Sequence, residues 1–336
     1  MRFLRTLLFP VVPIYFMVTW LRNKLYDLGL KKSKAYSFPV ICVGNLSTGG
    51  TGKTPMVEYL IRLLKEDFTL ATLSRGYGRA TKGFLMATEN TTAQTLGDEP
   101  YQFYHKFKED VVVAVDEQRQ HGISQLRELQ NKPDLIILDD AFQHRKVKAG
   151  INILLTSYHN LYTNDIVLPT GNLREPRKGA KRADIIVVTK CPLGVSEHDK
   201  ERITKAINPE EYQMVFFSTI DYSEAVFSDS ETLMINSLKP FTLVTGIANP
   251  KPLLEHLDRN GSEYEHLNYK DHHNFSSADI KVLEQKDVIV TTEKDYMRLK
   301  TYNTLKDKLF YLPITTRIED SDVFDSKVIE LVKGCH

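Results

Sequence analysis

A doubly wound parallel α/β sheet with a second, smaller α/β unit attached is the fold that three features of this 336-residue sequence predict. Short apolar runs alternate with segments of helical periodicity. The first run enters a Gly/Ser/Thr-rich turn that opens a helix, and the same strand–turn–helix grammar returns near the C-terminus after a polar stretch. Strands written as unbroken apolar runs are buried on both faces, as in a parallel sheet covered by helices. Ligands of such sheets sit beyond the carboxyl ends of the strands, so the loops after strands are where function is sought.

Composition bounds the answer. With 42% hydrophobic and 26% charged residues the chain can bury a core for two domains, and nothing suggests bulk disorder. A net charge of +1 argues against nucleic-acid binding through whole-surface charge. Cys42, Cys191 and Cys335 are far apart and form no C-x-x-C, which excludes a disulfide framework and points to a reducing compartment. No obligate protein partner is signalled.

The first segment, residues 1–34, is expected to form an N-terminal amphipathic, membrane-associated helix. Residues 6–21 carry no charge, yet Pro10 and Pro13 interrupt them and they fall short of the ~20 apolar residues that span a bilayer. Seven basic residues against Asp27 give residues 1–34 a charge of +6. An apolar stretch beside concentrated positive charge suits an interfacial anchor on an anionic leaflet, with Tyr15, Phe16 and Trp20 at headgroup depth. The competing readings are a signal peptide, against which stand the lack of an A-x-A-like cleavage site and the nucleotide motif that follows at once, and a core helix packed on the domain.

Residues 35–213 read as the first α/β domain. Strands are expected at 69–73, 111–115, 135–138, 151–155 and 185–188, with helices at 56–66, 99–107, 117–129 and 196–207. The chemistry begins at PVICVGNLSTGGTGKTP (residues 39–55), a strand, a glycine loop and a helix start. Ser47, Thr48, Gly49, Gly50, Thr51, Gly52, Lys53 and Thr54 are the phosphate-binding candidates: backbone N–H groups line a hollow, Lys53 reaches the β/γ-phosphates and the Thr54 hydroxyl binds Mg²⁺. Ser47 stands where the strict G-x-x-x-x-G-K-[ST] pattern has glycine. The expected ligand is a nucleoside triphosphate.

Further along, Ser74-Arg75-Gly76-Tyr77-Gly78-Arg79 follows the second strand and suits anionic groups. The run at 135–138 ends in Asp139 and Asp140, the arrangement in which a strand delivers a carboxylate to the P-loop's metal. Gln143, His144, Arg174 and Glu175 lie in polar loops; Arg174 is a phosphate clamp and Glu175 a metal contact, or both are solvated surface. A ribbon linker is expected at 214–240 and the smaller α/β unit at 241–336. In the latter, Ser276 and Asp279 form a capping pair just after His272 and His273, one of which is suited to acid/base work.

The motifs GNLSTGGTGKTP, LSRGYGR, GDEP, LDDAFQH, LREP, VTGIANP, KDHHNFS and TTEKD occur in that order. With the basic apolar N-terminus, they resemble the tetraacyldisaccharide 4'-kinases of lipid A biosynthesis, over nearly the whole chain. The resemblance implies a monotopic enzyme on the cytoplasmic face of a Gram-negative inner membrane, moving the γ-phosphoryl group of ATP to the 4'-hydroxyl of a lipid A disaccharide 1-phosphate. It implies Ser47 to Thr54 as the P-loop, Asp98 as catalytic base assisted by His272, and Asp139 and Asp140 as the residues that position Mg²⁺; the residues themselves add Lys53 on the phosphates and Thr54 and Glu175 as metal contacts. Arg75, Arg79, Arg119, Gln143, His144 and Arg174 fall on the acceptor side. The alternative is a P-loop GTPase, ATPase switch or metallochaperone without a lipid acceptor. The guanine-reading N-K-x-D signature is missing, since the nearest stretch is Thr189-Lys190-Cys191-Pro192.

Overall fold

The computed structural model describes residues 5, 7–271 and 273–335, so Arg2, Thr6 and His272 lie outside the described residues. A 3-10 turn (Phe9–Val11) leads into helix α1 (Val12–Asp27), where Pro13 occupies the first turn and its missing N–H costs no helical bond. The first unit then runs β1 (Val40–Asn45), α2 (Lys53–Leu64), β2 (Leu70–Ser74), β3 (Leu85–Met86), α3 (Ala93–Leu96), α4 (Asp98–Phe107), β4 (Val111–Val115) and α5 (Arg119–Arg127). It continues through β5 (Leu135–Asp139), β6 (Ile151–Ser157), β7 (Ile185–Thr189), α6 (Glu197–Ile207) and β8 (Met214–Tyr222). The smaller unit comprises β9 (Ala225–Phe227), β10 (Thr232–Met234), β11 (Phe241–Thr245), α7 (Lys251–Arg259), β12 (Tyr264–Asn268), α8 (Ser277–Leu283), β13 (Ile289–Thr292), α9 (Glu293–Leu299) and β14 (Leu309–Leu312). The chain closes with β15 (Ile314–Ile318) and α10 (Ser321–Lys333).

Nine strands form the large sheet in the order β15-β8-β7-β6-β1-β5-β2-β4-β3, parallel from β8 to β4 with antiparallel β15 and β3 at the edges. All six residues of β1 are buried, as its unbroken apolar run requires. Alternate β1 residues face opposite layers. Ile41 and Val43 meet Val57, Leu60, Ile61 and Leu64 of α2, while Val40 and Cys42 share a layer with Ile123, Leu126 and Ile203. Each such fully buried aliphatic side chain contributes about 1.5–3 kcal/mol. The smaller sheet, β10-β9-β14-β13-β11-β12, has a parallel centre.

Strand pairing corrects the expected division at 214–240 and 241–336. Met214–Tyr222 pairs in parallel with β7, and Ile314–Ile318 pairs antiparallel with it, so both belong to the large sheet. Phe324, Val328 and Val332 of α10 enter the core beneath β1 and α2. The chain therefore crosses to the smaller unit after β8 and returns at Pro313. Only β9 and β10 of the expected ribbon lie in the smaller sheet.

Helix α1 is built inside out. Phe16, Met17, Val18, Trp20 and Leu21 are exposed, whereas Thr19 and Asn23 are its buried residues. That rules out the core-helix reading. Among the described residues no helix is long and apolar enough to cross a membrane.

A buried charge cluster joins the units. Lys106 on α4 bridges Glu58 of α2 and Glu293 of α9, each at 2.6 Å, and Gln102 adds a bond to Glu58 at 2.9 Å. Burial, then the nearby Glu58 charge, pushes the Glu293 carboxyl up to about 7. Its folded-state pKa thus lies above the unfolded value, so its contribution is full below about 4.3 and declines as pH rises toward 7. Lys106→Ala leaves two buried carboxylates without their shared cation, and a loss of about 3–5 kcal/mol in denaturant unfolding is expected at neutral pH. The deficit should narrow on acidification; an equal loss at pH 5 and pH 8 would contradict this account.

Candidate phosphoryl-transfer site

Four loops meet at the carboxyl ends of β1, β5, β2 and β4. The glycine loop after β1 turns into α2 at Gly52, whose φ of 83° is left-handed and suited to glycine. Ser47 and Thr48 are drawn away from the hollow: Ser47 bridges Leu173, and the Thr48 N–H donates to the Asn172 carbonyl at 2.8 Å. Thr51 Oγ1 is buried without a partner. Behind the loop, Lys190 Nζ donates to Gly50 O at 2.7 Å and Thr189 Oγ1 to Thr51 O at 2.8 Å. Burial, then the charge of Lys53, holds the Lys190 ammonium below its usual pKa. The Thr189-Lys190 stretch, in sequence a failed guanine signature, thus braces the glycine loop through both side chains.

Lys53 Nζ lies 3.5 Å from Asp140 and 3.5 Å from Asn45 Oδ1. Asp140, with a left-handed φ of 48°, also receives Arg174 Nη1 on both oxygens at 3.0 Å. Burial opposes its charge, but Lys53 and Arg174 outweigh burial and keep the carboxyl below its usual range. Asp139 is placed differently. Burial, then the Asp140 charge, pushes it up to about 7; Ser74 Oγ donates to one oxygen at 3.3 Å, and Oδ1 is buried with no partner. An orphaned carboxylate oxygen beside the phosphate loop is a place where a cation would offset the burial cost. Among the described residues no group of three or more His, Cys, Asp or Glu could hold a metal by itself. Mg²⁺ does not need one, since it takes one or two carboxylates with phosphate and water.

Glu175 does not join these carboxylates. It is fully buried and accepts from Asn23 at 2.5 Å, Gln143 at 3.1 Å and Arg182 at 2.8 Å, so its oxygens serve a structural junction. Arg79 is also turned inward: its side chain pairs with Glu117 at 2.8 Å and donates to Gly83 O, holding the loop rather than facing outward. Arg75, by contrast, is exposed. It shares its field with Arg119 and His144, and burial followed by these cations takes His144 down to about 4. Arg119 is buried between the Asp116 and Asp139 carbonyls with Nε unpartnered; burial takes its pKa down to about 10 although Asp139 and Asp140 oppose it. Exposed Arg75 and buried Arg119 thus place positive charge near the carboxylates, with His144 neutral in their field. Gln143 bonds the Asn45 carbonyl at 2.8 Å and lies against Arg174 at 3.4 Å.

Asp98 opens α4, where the helix dipole favours its charge. Gly97 before it has a φ of 100°, and a Cβ there would meet Gly76 Cα at 3.3 Å, so two glycines let this loop and the Arg75 loop touch. Arg298 of α9 reaches across to Asp98, with Nε to Oδ1 at 3.2 Å and Nη2 bonded to Oδ2. Lys294 lies 3.6 Å from Glu99. Arg298 belongs to no motif legible in the sequence; its one local signal is its spacing one turn after Lys294 and Asp295. His273 Nε2 meets Asp279 at 3.0 Å, and its ring stacks on Tyr269 with centroids 4.7 Å apart.

Known proteins resemble this chain along its length. The family model described as LpxK, tetraacyldisaccharide-1-P 4'-kinase, matches residues 4–333. The tetraacyldisaccharide 4'-kinase of Flavobacterium johnsoniae is 49% identical over 99% of this chain and 98% of its own. That of Bacteroides fragilis is 44% identical over 97% of this chain and 93% of its own. A crystal structure described as the "apo" form of LpxK from Aquifex aeolicus in complex with ATP superposes with a TM-score of 0.79 at 31% identity, covering 98% of this chain and 99% of that one. Agreement of motif order, sheet and full-length similarity makes this chain a member of the tetraacyldisaccharide 4'-kinase family.

Proposed function

We propose that this chain transfers the γ-phosphoryl group of ATP to the 4'-hydroxyl of a tetraacyl lipid A disaccharide 1-phosphate, giving lipid IVA and ADP. The observation that carries the reading is Lys53, at the mouth of α2, facing Asp140 beside the orphaned oxygen of Asp139. Lys53 would neutralise charge that builds on the transferring phosphoryl, and backbone N–H groups of residues 49–54 would cradle the phosphates. Asp139, Asp140 and the Thr54 hydroxyl would hold Mg²⁺, which supplies charge neutralisation across the β- and γ-phosphates when bound. Asp98 accepts the hydroxyl proton as the oxygen–phosphorus bond forms and the bond to the β-phosphate oxygen breaks; His272 orients it. Exposed Arg75 and half-buried His144 would face the anionic acceptor, with buried Arg119 adding its positive field from behind.

The enzyme works as a monotopic protein on the cytoplasmic face of the inner membrane. The exposed apolar face of α1 and the +6 charge of residues 1–34 support that placement. The test is ATP consumption by purified protein in detergent micelles with and without a synthetic disaccharide acceptor. Acceptor-dependent ADP release with a phosphorylated lipid product is expected. Turnover indifferent to the acceptor would favour an ATPase switch.

A further inference from the structure

The inward stripe of α1 is polar and ends on the phosphoryl-transfer loops. Tyr15, Thr19 and Asn23 recur at four-residue spacing on one face. Tyr15 Oη donates to the Arg174 carbonyl at 3.0 Å, and Asn23 Nδ2 donates to Glu175 Oε2 at 2.5 Å. Both ends of the second bond are buried, Asn23 being 8% and Glu175 0% exposed. A buried carboxylate that takes donors from three chain segments fixes those segments against each other, because losing any donor leaves an unsatisfied charge. Those segments are α1 through Asn23, the loop after β5 through Gln143, and the loop before β7 through Arg182.

The junction is one residue from chemistry. Arg174, next to Glu175, clamps both oxygens of Asp140, its N–H donates to Leu46 O at 2.7 Å, and Asp140 faces Lys53. An anchor that served only to hold the protein at a surface would need none of these bonds. We infer that Asn23 is a positioning residue for phosphoryl transfer: through Glu175 it sets the place of Arg174 and Asp140, so the helix with the apolar outer face is also part of the catalytic frame. The inference rests on the kinase reading above.

Asn23→Ala is the test, with the outer-face pair Met17→Ser/Val18→Ser (58% and 59% exposed) as contrast. For Asn23→Ala, kcat with saturating acceptor in micelles should fall about 10–100-fold, the scale on which partners behind a site's first contacts act. ATP affinity and sedimentation with anionic vesicles should stay as in wild type. The outer-face pair should lose vesicle sedimentation and raise KM, with kcat retained. Combined with Glu175→Gln, Asn23→Ala should be no slower than the poorer single variant, since groups acting as one unit are not additive. Tyr15→Phe, which deletes one hydroxyl, should lower kcat in the same direction and guards against misfolding of the first variant. Wild-type kcat in Asn23→Ala or in Tyr15→Phe, multiplicative losses in the double variant, or loss of ATP affinity in step with kcat would each overturn the inference. Wild-type protein without acceptor-dependent turnover would instead refute the kinase reading.

Discussion

Lys53→Ala is expected to lower kcat by about 10²–10³-fold or more, the cost of removing one preorganised charge from where negative charge develops. The structure sharpens the expectation. Asp140 is held by two cations, Lys53 and Arg174, and deletion of the first leaves the second to bond the carboxylate at 3.0 Å. The fold should survive, because the Arg174 clamp and the buried stripe of α2 are untouched. Unfolding should therefore remain cooperative while turnover is lost. Lys53→Arg is not expected to rescue, since a planar fork cannot replace a compact ammonium at the end of a glycine loop. Wild-type turnover in Lys53→Ala would remove the P-loop from the mechanism.

Asp98→Asn comes second in size, with kcat down about 10²–10⁴-fold, the range for a positioned acid/base group, and ATP affinity little changed. The amide keeps the side chain's shape beside Arg298 but cannot accept the proton. His272→Ala should lower kcat as well, and the double variant should be no worse than the poorer single if the two act as one unit. His273→Ala should act on stability instead. Its ring is engaged by Asp279 and stacked on Tyr269, and the loss should appear in unfolding midpoint with kcat near wild type. A large kcat loss confined to His273→Ala would reverse the assignment of the two histidines.

What the sequence by itself determined is what short-range patterning encodes. An unbroken apolar run makes a doubly buried strand, glycines followed by Lys53 and Thr54 make a glycine loop at a helix start, and Asp139 and Asp140 at a strand end make the facing carboxylates. Helix α2 and strand β1 appear where periodicity puts them, with boundaries moved by a few residues. Tertiary structure decided whatever depends on partners far along the chain. Asp98 meets Arg298 across 200 residues, and Asn23 meets Glu175 across 152. No local period marks such pairs, so a polar residue in a loop reads equally as metal ligand, clamp or surface until packing chooses. For Glu175 packing chose a buried junction, and for Arg79 an inward pair with Glu117. Likewise the return of β15 and α10 to the large sheet follows from edge pairing with β8, a hydrogen-bonded choice between distant backbones that side-chain patterning does not register. The inside-out α1 is the same lesson at one helix: its apolar content was legible, but only its neighbours determined that the polar stripe faces in.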